Sequence, residues 1–401
     1  MAAMDAIAGA TAADTSPRGR HAYLALAAWA VLVDCWAWTM IGPLAPGYAA
    51  DLGLSTAEVS LLSAVPLVAG ALGGVPVGAL TDRYGGQVML AVVGFLAFFP
   101  VLYLAFMDTS FTFMVAGALA LGVAGTAFAV GVPFCNAWYE PARRGLVAGV
   151  VGAAASAGIA LSALLVPWLA DAAGRTATYL ATAAVVGLTA AAMLLFTRDA
   201  PGWQTSEDLV GPRVRAARRL PVVRRAWPPY ALAFGGFLAM PLYLPTYLRE
   251  VYGTDPGAAA AQAAAFALGA VVAWPAGGFL ADRIGPRRLL VDALGLAAAL
   301  TLVITAGPAA GIAEAVSFTL LAFALGVAAG GVFALVARCT EPSRTGAVTG
   351  LAWAVGVPAA FVPALLLGAA HAITGSYVIG LLLLACAALA GVLHAAIALR
   401  R

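Results

Sequence analysis

Twelve membrane-crossing helices, built as two six-helix bundles of the same orientation, are the all-α architecture that this sequence predicts. Three observations lead there: the composition, the distribution of arginine, and two motifs repeated at a nearly fixed offset. The 401 residues are 63% hydrophobic and only 10% charged, where globular domains carry about 25% charged residues. A water-soluble fold could not cover so much apolar surface. A helix needs about 20 apolar residues to cross roughly 30 Å of hydrocarbon, and runs of that kind recur along the chain. They are apolar throughout rather than alternating, which excludes a β-barrel.

Taken in order, residues 1–21 form a polar N-terminal tail ending in Pro17-Arg-Gly-Arg20, with no cleavable apolar leader before the first span. Residues 22–196 are expected to form an N-terminal bundle with helices at 22–47, 59–80, 88–106, 111–134, 146–169 and 176–196. The longest polar stretch, 197–227, contains Glu207 and Asp208, is rich in Arg, Pro and Gly, and reads as a cytoplasmic linker between two bundles. Residues 228–399 supply the C-terminal bundle, with helices at 228–249, 257–280, 289–305, 315–337, 347–370 and 377–399.

All 21 basic residues are arginine, and only Arg175 and Arg249 fall on one face of this arrangement; the other nineteen fall on the opposite face. By the positive-inside rule that face is cytoplasmic, so both termini are expected in the cytoplasm and the protein in the cell inner (cytoplasmic) membrane. Without lysine there is no Schiff-base chemistry. The four cysteines (Cys35, Cys135, Cys339, Cys386) are scattered and show no metal-ligand spacing. No nucleophile–base pair marks an enzyme and no phosphate-binding loop implies ATP drive. No cofactor, metal or nucleic-acid partner is expected; the partners are the lipid bilayer and a small-molecule substrate, handled by a monomer.

The halves repeat each other. Gly78-Ala-Leu-Thr-Asp82-Arg83-Tyr-Gly85 recurs 200 residues on as Gly278-Phe-Leu-Ala-Asp282-Arg283-Ile-Gly285. Glu140-Pro-Ala-Arg143-Arg-Gly145 recurs 201 residues on as Glu341-Pro-Ser-Arg344-Thr-Gly346. Parallel repeats of an even number of spans are a transporter architecture. Asp82 and Asp282 are expected to gate, each pairing with arginine or capping the positive end of a neighbouring helix while the cytoplasmic side is closed. Arg83, Arg143, Arg283 and Arg344 are the repeated basic partners in this reading. The runs Gly70-x3-Gly74-x3-Gly78 and Gly145-x3-Gly149 are read as close helix packing.

The doubled Gly-x3-Asp-Arg-x-Gly loop resembles the signature of the major facilitator superfamily, although the first copy has Gln87 where the second keeps Arg287-Arg288. Trp38-Thr-Met-Ile-Gly42-Pro, Gly125-Thr-Ala-Phe128-Ala-Val-Gly131, Tyr243-Leu-Pro-Thr-Tyr247 and Thr374-Gly-Ser-Tyr377 resemble its nitrate/nitrite porter branch. That resemblance implies proton symport or nitrate/nitrite antiport. It also implies two midplane arginines, whose guanidinium forks suit a planar oxyanion. At the matching positions stand Gly74, before Val75-Pro76, and Trp274, before Pro275; Ala155 replaces an asparagine of the fifth helix.

What remains to line a central cavity is aromatic and weakly polar: Trp36, Trp38, Thr126, Asn136, Ser156, Tyr243, Tyr247, Trp274 and Trp353. Asp34 lies a dozen residues into the first span, where charge is costly and functional by default; it is read as a proton-coupling carboxyl or a partner for a cation. Asp292 and Glu314 are placed near span ends, and His371 and His394 are read as structural. The expected function is gradient-driven secondary transport of a small solute by alternating access, through proton coupling or exchange. A nitrate/nitrite or other small-anion porter and a non-transporting solute sensor are the alternatives.

Overall fold

The computed structural model describes residues 17–203 and 209–400; residues 1–16 of the tail, Glu207 and Asp208 of the linker, and Arg401 lie outside the described residues. Helix is the only regular structure among them. Eleven helices are long and apolar enough to cross a membrane, and a bent pair completes twelve. The N-terminal half holds Gly19–Leu52, Thr56–Tyr84, Gly86–Leu104, Phe111–Ala137, Pro141–Ala173 and Arg175–Phe196. The C-terminal half holds the pair Pro221–Met240 and Tyr243–Tyr252, then Pro256–Ile284, Pro286–Thr305, Ile312–Cys339, Thr345–Thr374 and Val378–Ala398.

Most of these helices outrun the apolar stretches that forecast them, because hydropathy reports the hydrocarbon layer whereas a helix continues until it is capped; the third and twelfth do not. The second span begins in a capping box, with the Ser55 hydroxyl accepting from the Glu58 amide and the Glu58 carboxylate accepting from the Ser55 amide. It ends at Gly85, and its repeat, the eighth span, ends at Gly285; φ of 91° and 88° at these turns suits glycine alone. Asp82 and Arg83 therefore sit in the last helical turn, not in a loop after it.

Several spans are broken. The first is interrupted at Met40, the eleventh at Ala360 beside Pro358, and the fourth passes through a 3-10 segment, Gly122–Thr126. The seventh bends by 62° between Met240 and Tyr243, where Pro241 removes a backbone donor. Between Phe196 and Pro221 a further helix, Val210–Arg219, lies against the second and eleventh spans. The two principal seams between the halves pair the fifth span with the eighth and the second with the eleventh.

Candidate functional site

At the arginine-rich end, each half holds the other by the same device. The fifth and eleventh spans both start from a short 3-10 turn, Pro141–Arg143 and Pro342–Arg344, given by the repeated Glu-Pro-x-Arg motif. Their first amides have no intrahelical acceptor, and neither N-cap side chain supplies one. The carboxylate of Asp82 accepts from Gly346 N–H at 2.7 Å and Ala347 N–H at 3.0 Å. The carboxylate of Asp282 accepts from Gly145 N–H at 3.2 Å and Leu146 N–H at 2.9 Å. These are trans caps: an acid of one half closes the helix start of the other, where the helix dipole favours negative charge.

The glycines make this approach possible. A Cβ on Gly78 or Gly350 would overlap the backbone of the facing helix, at Gly346 and Gly74 respectively, and one on Gly278 would overlap Gly145. The small-residue runs are thus close helix packing, as expected, and Gly74, Gly78, Gly145 and Gly149 place it at the seams between halves, while Gly70 packs on Trp38 and Gly122 of its own half.

Two arginines that the motifs do not include reinforce the clamps. Arg338 lies 3.6 Å from the Asp282 carboxylate and donates to the Asp282 carbonyl at 2.7 Å. Arg213, on the helix Val210–Arg219, is buried and donates to the Ser343 carbonyl at 3.0 Å, close enough for its charge to act on Asp82. The expected arginines do not pair with the aspartates. Arg83 stacks over Tyr84 and Arg283 over Phe279, while Arg344 meets Glu341. Arg143 occupies the N-cap of the fifth span without a side-chain cap bond.

The middle of the molecule is filled by aromatic rings from both halves. Trp353 stacks on Phe128 at 4.6 Å and approaches Trp38 at 5.7 Å. Trp274 stacks on Phe333 at 5.8 Å, and Phe128 meets Phe333 edge-on at 4.9 Å. Trp38 donates its indole N–H to the Pro66 carbonyl at 2.7 Å and lies against Gly125, in the 3-10 segment. The two remaining indoles fit a reciprocal pattern. A Cβ on Gly152 would overlap Trp274, and one on Gly74 would stand 3.0 Å from Trp353 Cδ1. The indole nitrogens of Trp274 and Trp353 and the Tyr230 hydroxyl are buried without a hydrogen-bond partner among the described residues.

Beyond the rings, towards the arginine-poor end, a cavity of about 370 Å³ separates the halves. Its polar lining is Thr39, Ser63 and Ser156; Pro66, Phe237 and Phe361 contribute to the apolar remainder. Of the expected lining residues, Ser156 reaches this cavity, and Trp38, Trp274 and Trp353 form the aromatic plug beneath it.

Others lie elsewhere. Tyr243 and Tyr247 pack on Tyr377 at 5.7 and 5.2 Å, in a cluster at the arginine-poor end where Tyr377 bonds Glu250 and His371 lies 3.5 Å from that carboxylate. Asn136 is buried near the arginine-rich end of the fourth span, its amide unpartnered among the described residues. Asp34 is 3% exposed, has no hydrogen-bond or salt-bridge partner among the described residues, and does not line the cavity. Glu314 lies in the first turn of the tenth span, near a span end as expected, and there it is buried and accepts from Gln262 at 2.6 Å.

Residues 27–363 and 232–400 match the Major Facilitator Superfamily. The chain is 44% identical over 383 residues to a probable nitrate/nitrite transporter, NarK2, of Mycobacterium tuberculosis (strain ATCC 25618 / H37Rv), covering 95% of this chain and 97% of that one. It is 31% identical over 374 residues to a nitrite extrusion protein of Bacillus subtilis (strain 168), covering 92% of each. Among solved structures, the human organic anion transporter MFSD10 superposes with a TM-score of 0.76 at 18% identity, covering 95% of this chain and 100% of that one. The transporter FucP in its outward conformation superposes with a TM-score of 0.75 at 16% identity, covering 93% and 97%. At those identities the likeness is one of fold. Fold, repeats and relatives agree: the chain belongs to the Major Facilitator Superfamily and is a multi-pass membrane transporter, not an enzyme.

Proposed function

We propose that this protein is a gradient-driven secondary transporter of the cytoplasmic membrane that moves a small polar solute by alternating access, with both termini in the cytoplasm. The reciprocal clamp carries this reading. Each aspartate holds the other half's helix at one end of the molecule, while a cavity separates the halves towards the other end. Opening the clamped end would exchange four amide–carboxylate bonds for bonds to water, so the two positions can lie close in free energy. The arginine distribution favours a cytoplasmic clamp, so the cavity faces outward.

The centre favours a solute that is neutral or cationic and carries hydrogen-bond acceptors. Buried donors without partners are costly, and Trp274, Trp353 and Tyr230 present three that such a solute would pair. Indole faces attract cations. No arginine lies in the middle of any described span, and an uncompensated anion at the midplane costs at least about 2.5–3.5 kcal/mol. Asp34, one turn from Trp38, would carry the coupling proton, its hydration changing as the rings move to admit solute. A second reading, nitrate or nitrite, is favoured by the names of the Mycobacterium and Bacillus relatives; the indole N–H edges and the Tyr230 hydroxyl would then face the oxyanion.

Uptake into proteoliposomes, with and without an imposed pH gradient, separates these readings. The screen should include labelled nitrate, nitrite, and neutral and cationic organic solutes. Nitrate or nitrite uptake above empty vesicles would move the substrate to the second reading. Uptake indifferent to the pH gradient would remove proton coupling.

A further inference from the structure

We propose that a cavity at the arginine-rich end of the C-terminal half binds the phosphate headgroup of an anionic phospholipid. The cavity holds about 540 Å³. Its basic wall is Arg225, from the start of the seventh span, with Arg287 and Arg288 from the first turn of the ninth; its apolar wall includes Leu220, Val222 and Leu399. All of these residues stand at or near helix ends, where a span passes from hydrocarbon into the headgroup layer. Basic pockets between spans at that depth suit acidic headgroups. Free phosphate would make no use of the apolar wall, whereas a lipid joins its charge to acyl chains. An apolar crevice of about 420 Å³ that includes Trp227, Leu294 and Leu384 lies further along the same helices.

The internal repeat supplies an independent argument. In the N-terminal half the matching helix start is closed by an anion of the chain itself: Asp199 accepts from Gly86 N–H at 2.8 Å and Gln87 N–H at 2.9 Å. The Gln87 side chain then donates to the carbonyls of Leu194 and Thr197, at the end of the sixth span. Two hundred residues on, Arg287 takes the place of Gln87 and donates to the Ala396 carbonyl near the end of the twelfth span, at 3.3 and 3.1 Å. The ninth span has no side-chain cap, and Pro286, in the place of Gly86, has no N–H to donate, so the Arg287 amide alone corresponds to the donors that Asp199 meets. An external phosphodiester oxygen would meet that amide and the arginine side chains, where the other half uses its own Asp199. Arg288 is available to it, since its 3.8 Å contact with Asp292 joins two well-exposed side chains and such pairs contribute little.

Native mass spectrometry of the full chain in detergent tests this, with titrated phosphatidylglycerol, phosphatidylcholine and inorganic phosphate as separate probes. One phosphatidylglycerol should bind more tightly than phosphatidylcholine. The double variant Arg225→Gln/Arg288→Gln should weaken that event about 25-fold, taking about 1 kcal/mol per arginine. The control Arg215→Gln/Arg218→Gln, on the exposed side of the linker helix, should leave it unchanged. Equal retention of the two lipids, wild-type retention by the double variant, or equal weakening by the control would overturn the proposal. So would inorganic phosphate binding as tightly as the lipid. Should the double variant fail to fold, Arg288→Gln alone gives the same comparison with about a fivefold effect. None of these readouts depends on transport or on the solute carried.

Discussion

The six-membered ring of Trp274 lies directly against Gly152, so the bulkiest side chain of one half occupies the space that a side chain in the other would need. The repeat then inverts the pair: Gly74, 200 residues before Trp274, faces Trp353, 201 residues after Gly152. Large and small partners have exchanged places between the halves, and the contact is the tighter at Gly152. Adding a methyl at Gly152 should therefore overpack the fifth–eighth seam. Gly152→Ala is expected to destabilise by about 1–3 kcal/mol and to lower the thermal unfolding midpoint in detergent. An unchanged midpoint would mean that Trp274 moves aside freely.

The trans caps should set the balance between conformations. Charge-assisted hydrogen bonds are worth roughly twice neutral ones, so Asp82→Asn should populate the state opened at the arginine-rich end while leaving membrane insertion intact. Single cysteines placed along the second–eleventh seam should become more reactive to a cytoplasmic thiol reagent, and transport should fall. Wild-type reactivity and transport in Asp82→Asn would leave the motif a mere turn.

Arg213 should share this role more weakly, because it acts through the Ser343 carbonyl and the charge on Asp82 rather than through the cap itself. Arg213→Gln is expected to shift seam accessibility in the same direction as Asp82→Asn but by less. In a background already carrying Asp82→Asn it should add little, since coupled residues are not additive. Full additivity would separate the linker helix from the clamp.

Topology follows from the arginine distribution and is testable residue by residue. Arg215→Cys should label with an impermeant reagent only from the cytoplasmic side, and Arg249→Cys only from outside. The reverse pattern would invert the molecule and with it the sidedness of the cavity.

Asp34 is buried and lacks a partner among the described residues. Asp34→Asn should therefore abolish dependence of uptake on a pH gradient while sparing folding, since no hydrogen bond to it is lost. If pH-dependent uptake persists, Asp34 is a packing residue. Placing arginine at the two positions where the resemblance implies it, with Gly74→Arg and Trp274→Arg together, should conversely favour nitrate. Nitrate uptake no better than in the parent would show that oxyanion binding needs more than those two groups.

The number of spans, the parallel repeat and the two repeated acids that cap helices across the halves were legible in the residues. Hydrocarbon thickness sets the length of an apolar run, and a motif that recurs at a fixed offset needs no structure to be seen. What Asp82 and Asp282 hold was not legible. Their acceptors meet backbone N–H groups of the other half, and a backbone donor leaves no mark in residue identity. For the same reason Arg213 and Arg338 escaped notice until the helices were brought together.

The lining of the centre was misread in part because a span buried in lipid is apolar on every side, so periodicity does not separate the face towards a cavity from the face towards neighbours. Tyr243 and Tyr247 thus belong to a cluster with Tyr377, whereas Phe128, Phe234 and Phe333, unremarkable as residues, complete the plug. The sequence by itself determined that this chain crosses the membrane twelve times in two like halves. Only the tertiary structure decided which faces of those helices meet, because contact between apolar surfaces is chosen by shape, here Gly152 against Trp274 and Gly74 against Trp353, and shape appears only when the helices are side by side.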